Sequence, residues 1–231
     1  MFQPFAQVQE RAQTNFMYKV YGWMCAALAV TAVTAWYVAT STSFFNTVMV
    51  HPFMLLAIFV AQLGLVVVLS AMIEKMNYPT AVMLFMIYAI SLGVTMSLVF
   101  RAYTLPSLAS TFIVTSGMFG GMALYGYFTK SDLTQVRNIS IMIVWGMILS
   151  MLVNMYFQNM WFDYIISMVG VVIFCLLTAA DTQKIKALQG QLSIESDMKN
   201  KVAILGALTL YLDFINLFLF LLRFTGSRRS E

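Results

Sequence analysis

Seven long apolar runs alternate with short polar connections along the chain. They fall at about residues 19–40, 52–73, 80–100, 107–128, 138–157, 161–181 and 202–222. A helix needs ~20 apolar residues to cross a bilayer, and each run is close to that length. The runs are continuous rather than alternating over ~10 residues, which argues against membrane strands. The pattern predicts an all-α membrane protein: a polar tail at 1–18, seven transmembrane helices within 19–223, a basic tail at 224–231, and no soluble domain. The last run, VAILGALTLYLDFINLFLFLL, carries an acid well inside it. Gly206, Thr209, Asp213 and Asn216 recur at steps of three or four. At roughly 100° per residue they share one stripe. This helix therefore turns most of its surface to lipid or apolar neighbours, and one narrow polar seam elsewhere.

Composition agrees with the pattern. The 231 residues are 61% apolar and 10% charged, with a mean hydropathy of +0.84. A soluble domain carries roughly 25% charge and could not hide so much apolar surface. The net charge of +4 comes from basic residues scattered through short connections. No folded basic face is implied, so no nucleic-acid partner is expected. No cleavable signal peptide is expected, since the N-terminal segment is polar and the first apolar run is too long for one. Cys25 and Cys175 sit inside apolar runs and read as small buried hydrophobes. No disulfide framework or zinc spacing exists, and no cofactor is expected.

Lysine and arginine in the connections set an expected orientation. With the N-terminus inside, the inner side holds Arg11, Lys19, Lys75, Lys130, Arg137, Lys184, Lys186, Lys199 and Lys201. The outer side holds Arg101, Arg223, Arg228 and Arg229. Nine against four predicts N-inside and C-outside. Trp23, Trp36, Tyr37 and Trp161 suit the interfacial aromatic belt. Arg101 reads as an outer anchor that snorkels to the headgroups. Asp163 reads as a hydrated acid at the outer end, and His51, beside Pro52, as a surface residue. Gly93, Gly117, Gly120, Gly121 and Gly126 read as points of close helix approach.

An ionisable group at membrane depth costs several kcal/mol unless it faces protein, water or an ion, so Asp213 is a functional candidate. Its candidate partner is Asp181, at the inner end of the sixth run, with Ser167, Gly170 and Thr178 on roughly the same face. Two facing carboxylates cannot both ionise cheaply, so such a pair shares a proton and titrates as a unit. Deprotonated, the pair attracts a hard cation such as Ca²⁺. Two carboxylates are too few for tight binding, and weak, pH-dependent contact suits a conduction pathway, since an ion must also leave. Asp181 and Asp213 are thus the candidate pH-sensing and weak calcium ligands. Thr178, Thr209, Asn216 and Gln62 are the supporting polar seam, with interhelical hydrogen bonds the expected role of Gln62, Asn154 and Asn216.

The stretches FCLLTAADTQKIK at 174–186 and ILGALTLYLDFINLFLFLLR at 204–223 resemble the signature of the Bax inhibitor-1 family, the transmembrane Bax inhibitor motif proteins. YGYFTKSDL at 125–133 and the stretch 92–100 fit as well. The resemblance implies a bacterial member with six helices wrapped round a central seventh. It further implies a pH-sensitive calcium leak, with the two motif aspartates, here Asp181 and Asp213, paired at the closed inner end of the pore. Relatives carry Glu in the second span where this chain has Gln62. They also carry an Arg that pairs with the aspartates, where this chain has Met72. Without that arginine, a proton shared between the two acids is the expected latch. A multi-pass protein of the bacterial cytoplasmic membrane is implied, with the bilayer, Ca²⁺ and H⁺ as its partners.

Two other classes compete. A non-conducting regulator would bind other membrane proteins, such as a quality-control protease, through its polar N-terminal tail. An intramembrane aspartyl protease also places one Asp on each of two neighbouring helices. Such proteases resemble a pattern with Gly-x-Gly just before the second Asp. Here Leu210-Tyr211-Leu212 precedes Asp213, so no enzyme is expected.

Overall fold

The structure is a computed structural model and describes residues 3–41, 45, 52–191, 196–227 and 229; His51 and Arg228 lie outside the described residues. Among the described residues seven helices follow one another: α1 Gln3–Thr40, α2 Pro52–Met72, α3 Tyr78–Ala102, α4 Leu105–Phe128, α5 Thr134–Phe157, α6 Met160–Gln191 and α7 Ser196–Thr225. No strand forms among the described residues. All seven helices are long and apolar enough to cross a membrane. The chain is a multi-pass membrane protein. Phe53, Val67, Ile113, Leu149, Leu152 and Val172 are exposed, as expected of surfaces that meet acyl chains rather than water.

Three helices run further than their apolar stretches. α1 begins at Gln3, although its candidate span starts only at Thr14. α6 continues through QKIKALQGQ to Gln191, and α7 starts at Ser196, so most of the polar loop expected at 182–201 is helical. The reason is general. Hydropathy marks where lipid begins and ends, while Gln, Lys, Ala, Glu and Leu keep good helix propensity beyond it.

α7 is the most enclosed helix. The apolar window of its span is 72% buried, against 11% for α2 and α5. Its sequence explains this, since Ala203, Ile204, Ala207, Leu208, Leu210, Tyr211, Phe214 and Leu217 are all buried.

Backbone contacts divide the chain into two compact units. The first contains Met1–Ala102 and Gln189–Tyr211. Here α3 packs against both α1 and α2. Gly93 lets α1 and α3 approach closely, since an added Cβ would lie 2.6 Å from Thr34 Cβ and 2.8 Å from the Thr31 carbonyl. The Thr31 hydroxyl lies 2.9 Å from the Ala27 carbonyl, 3.0 Å from the Ala89 carbonyl and 2.6 Å from the Tyr211 hydroxyl. A threonine has one hydrogen to give, and the carbonyls accept it, so Tyr211 donates to Thr31. Phe85 and Tyr88 meet the Tyr211 ring edge-on.

The second unit contains Tyr103–Leu188 and Leu212–Ser230. Gly126 of α4 lies directly against the Ala179 backbone of α6, where a Cβ would collide with the carbonyl. Phe112 and Phe119 of α4 pack edge-on against Phe214 of α7, and Phe174 of α6 stacks on Phe220. The Gly170 backbone lies against the Phe220 ring. Not every small residue marks such an approach. Gly117, Gly120 and Gly121 have nothing within 4 Å of an added Cβ, which corrects their reading as packing points. The cysteines are also corrected: Cys25 is exposed and Cys175 half-buried, both within apolar membrane spans.

Candidate functional site

The connection between α4 and α5 is clamped to α6 by side chains of α6. The Gln183 amide donates to the Ser131 carbonyl at 2.8 Å and accepts from the Leu133 N–H at 2.9 Å. Lys186 donates to the Tyr127 carbonyl at 2.8 Å and stands 4.3 Å over the Tyr127 ring. Leu133 is buried against Ala179 and Ala180. Asp132 accepts from the Thr134 N–H at 2.9 Å and so satisfies one of the free donors at the start of α5. The Thr134 side chain, then this backbone bond, hold the Asp132 carboxyl below its ordinary range.

This clamp brings Arg137, in the first turn of α5, against α6. Its guanidinium forms an ion pair with Asp181 through Nε and Oδ1. A cation in the first helical turn is opposed by the helix dipole. The pairing with Asp181 offsets that cost. Asp181 is 4% exposed and Asp213 is 5% exposed, while Arg137 is half-buried. Asp213 lies within electrostatic reach of both Asp181 and Arg137. The charges of the three groups therefore influence one another, with the ion pair itself formed by Arg137 and Asp181. Asp213 Oδ2 and, next to Asp181, Thr182 Oγ1 are buried oxygens without a hydrogen-bond partner among the described residues.

The cation corrects one expectation. Asp181 does have an arginine partner, but it comes from the first turn of α5 and not from the second span, where Met72 is exposed. The signal in the sequence was the run SDLTQVR, a helix-start pattern with a cation one turn in. Its partner was not readable, because pairing with Asp181 depends on the fold of the α4–α5 connection.

The supporting seam is dispersed. Thr178 donates to the Phe174 carbonyl at 2.7 Å, Thr209 to Leu205 at 3.0 Å and Asn216 to Leu212 at 2.8 Å, each within its own helix. Gln62 donates to the Ser91 carbonyl at 2.9 Å and to Thr95 Oγ1 at 3.3 Å, joining α2 to α3 in the first unit. Asp163, expected to be a hydrated acid, pairs with Arg223 at 3.3 Å while remaining partly exposed. Arg101 does not only reach outward: its Nε donates to the Ala39 carbonyl at 3.0 Å, and its guanidinium lies 3.9 Å from the Phe45 ring centre. Among the described residues no three His, Cys, Asp or Glu side chains come together. Tight binding of a hard cation takes more oxygens than two carboxylates supply.

The likeness to known proteins runs along almost the whole chain. Residues 13–230 match the family described as inhibitor of apoptosis-promoting Bax1. The chain belongs to the Bax inhibitor-1 family. It is similar to inner membrane protein YbhL of Escherichia coli strain K12, 47% identical over 224 residues covering 96% of each chain. An uncharacterized protein of Borreliella burgdorferi is 40% identical over 219 residues, covering 95% of this chain and 94% of the other. Protein RP147 of Rickettsia prowazekii, also uncharacterized, is 38% identical over 216 residues, covering 94% and 91%.

Proposed function

We propose that this Bax inhibitor-1 family member is a pH-sensitive calcium leak channel, gated by protonation of Asp181 and Asp213, with Arg137 as their common countercharge. The observation that supports this reading best is the burial of two interacting acids around one cation. Charge counting gives the sign. With one proton on the pair, the cluster of Arg137, Asp181 and Asp213 is neutral and stable in a low-dielectric setting. Without that proton it carries one net negative charge, which burial penalises. The cluster then gains by parting the carboxylates or by admitting a cation. The neutral form is the shut one, and flux rises as pH rises. Among the described residues no third metal-ligating side chain joins the pair, which suits brief contact with Ca²⁺ as a permeant ion rather than as a resident ligand.

The similarity to YbhL supports a bacterial cytoplasmic membrane, and the distribution of Lys and Arg supports N-inside and C-outside. The test is calcium flux into liposomes loaded with a calcium dye, measured from about pH 6 to about pH 8. Wild-type flux increases across that range. Asp213→Asn leaves a neutral Arg137–Asp181 pair and gives low flux without pH dependence. Absent flux, or flux unchanged by Asp213→Asn, overturns the reading. Wild-type activity in cleaving a transmembrane reporter, lost with Asp181→Asn, would replace it with a protease.

A further inference from the structure

The second unit carries a cavity of about 460 Å³ at the turn between α5 and α6. One wall is apolar, formed by Met151, Leu152 and Met155. The lining also holds Asp163 and Arg223, whose charged groups lie 3.3 Å apart and whose side chains are 43% and 45% exposed. The turn itself is built with care. Gln158 adopts a left-handed backbone, with φ 50° and ψ 37°, and donates its N–H to the Asn154 carbonyl at 2.7 Å. The Asn154 side chain accepts from the Asn159 N–H at 3.1 Å. Asn159 in turn accepts from the N–H groups of Trp161 at 3.0 Å and Phe162 at 3.3 Å, capping α6. A left-handed conformation is unusual for a residue other than Gly, Asn or Asp, and here it sets an amide side chain, with two donors and an acceptor, at the cavity wall.

The level in the bilayer is marked independently. Tyr156, Phe157 and Trp161 flank the turn and are strongly exposed, as aromatic residues are at a headgroup boundary. The cavity thus has an apolar wall running along a membrane helix and a paired cation and anion at its polar end. One ligand class presents the complementary pattern: acyl chain, phosphate and ammonium in one molecule. We infer that this cavity binds a membrane phospholipid with a phosphoethanolamine headgroup, its phosphate on Arg223, its ammonium on Asp163 and an acyl chain along Met151, Leu152 and Met155. The headgroup replaces one exposed ion pair with two, and its N–H groups donate to Asp163. A phosphocholine headgroup has no N–H to give. A phosphoglycerol headgroup satisfies Arg223 but brings no cation to Asp163.

The test uses the full chain in detergent with lipids of identical acyl chains, and counts lipid adducts on the folded protein by native mass spectrometry. An ion pair at a partly exposed site contributes up to about 1 kcal/mol, so phosphoethanolamine lipid should be retained about fivefold over phosphoglycerol lipid. It should also exceed phosphocholine lipid. Asp163→Asn brings the phosphoethanolamine and phosphoglycerol adducts to near parity, and Arg223→Gln lowers both. This ratio is read within one sample, so a general loss of stability does not produce it. Equal retention of the three lipids by the wild type, or a ratio unchanged by Asp163→Asn, overturns the inference. Free phosphoethanolamine that displaces the lipid at equal concentration would also overturn it, by assigning the site to a soluble ligand.

Discussion

Arg137 of α5 and Asp181 of α6 form an ion pair 44 positions apart in sequence, at a site where Asp213 of α7 interacts with both. The pair is held by Gln183 and Lys186, further along α6, which fasten the α4–α5 connection to that helix. An arginine in this place gives two buried acids a shared countercharge that neither could supply to the other.

Removing that cation leaves the acids uncompensated. Arg137→Gln is expected to destabilise the protein by about 2 kcal/mol, between the values for exposed and fully buried pairs. Arg137→Lys keeps the charge but loses the planar fork, and its cost is expected to be smaller. Thermal unfolding of the purified variants in detergent checks the order. Equal stability of wild type and Arg137→Gln would mean that the pair contributes nothing.

Gly126 and Gly120 lie on the same helix and predict opposite outcomes. Gly126→Ala drives a methyl into the Ala179 carbonyl, two residues before Asp181, so it is expected to cost about 3 kcal/mol through overpacking and backbone displacement. Gly120→Ala meets open space and gains helix propensity, so it is neutral or stabilising by up to about 1 kcal/mol. Unfolding curves of the two variants, measured side by side, test this contrast.

Tyr211 is fully buried two residues before Asp213, and its hydroxyl reaches into the α1–α3 contact at Thr31. Thr31→Val leaves that hydroxyl without its acceptor and is expected to cost about 1–3 kcal/mol, whereas Tyr211→Phe removes the polar group itself and costs about 1 kcal/mol. The double variant should cost less than the sum of the two, as groups in direct contact do. Additive costs would contradict the hydrogen bond.

Asp132 supplies a pH control outside the membrane spans. Its carboxyl is held below the ordinary range by the Thr134 side chain and backbone. A folded-state value below the unfolded one means a contribution present above the unfolded pKa of about 4, and lost as pH falls through the lower folded value. The protection of the first turn of α5 against hydrogen exchange should therefore fall only in strong acid in the wild type, whereas Asp132→Ala should lack it already at neutral pH and show no such acid step. Between about pH 6 and about pH 8 Asp132 stays ionised, so Asp132→Asn should leave the pH response of flux in place.

The count of seven spans was legible because each needs only length and hydropathy, which the chain states plainly at runs such as 52–73 and 107–128. Helix ends were less legible. The extensions of α1 to Gln3 and of α6 to Gln191 lie in polar sequence, where helix formation follows from propensity and hydropathy says nothing. Asp213 announced itself as an acid inside an apolar run. Arg137 did not, since a cation in a connection is ordinary and only the tertiary clamp at Gln183 directs it to Asp181. Gln62 joined the seam on polarity alone, but polar side chains in membrane helices take the nearest acceptor, and for Gln62 that is the Ser91 carbonyl.

The distance between the carboxyl groups of Asp181 and Asp213, determined experimentally at low and at high pH, tests the gating account most directly. The account predicts closely interacting carboxyls beside Arg137 at low pH and separated ones at high pH. Identical separations at both, or acids far apart at low pH, would contradict it.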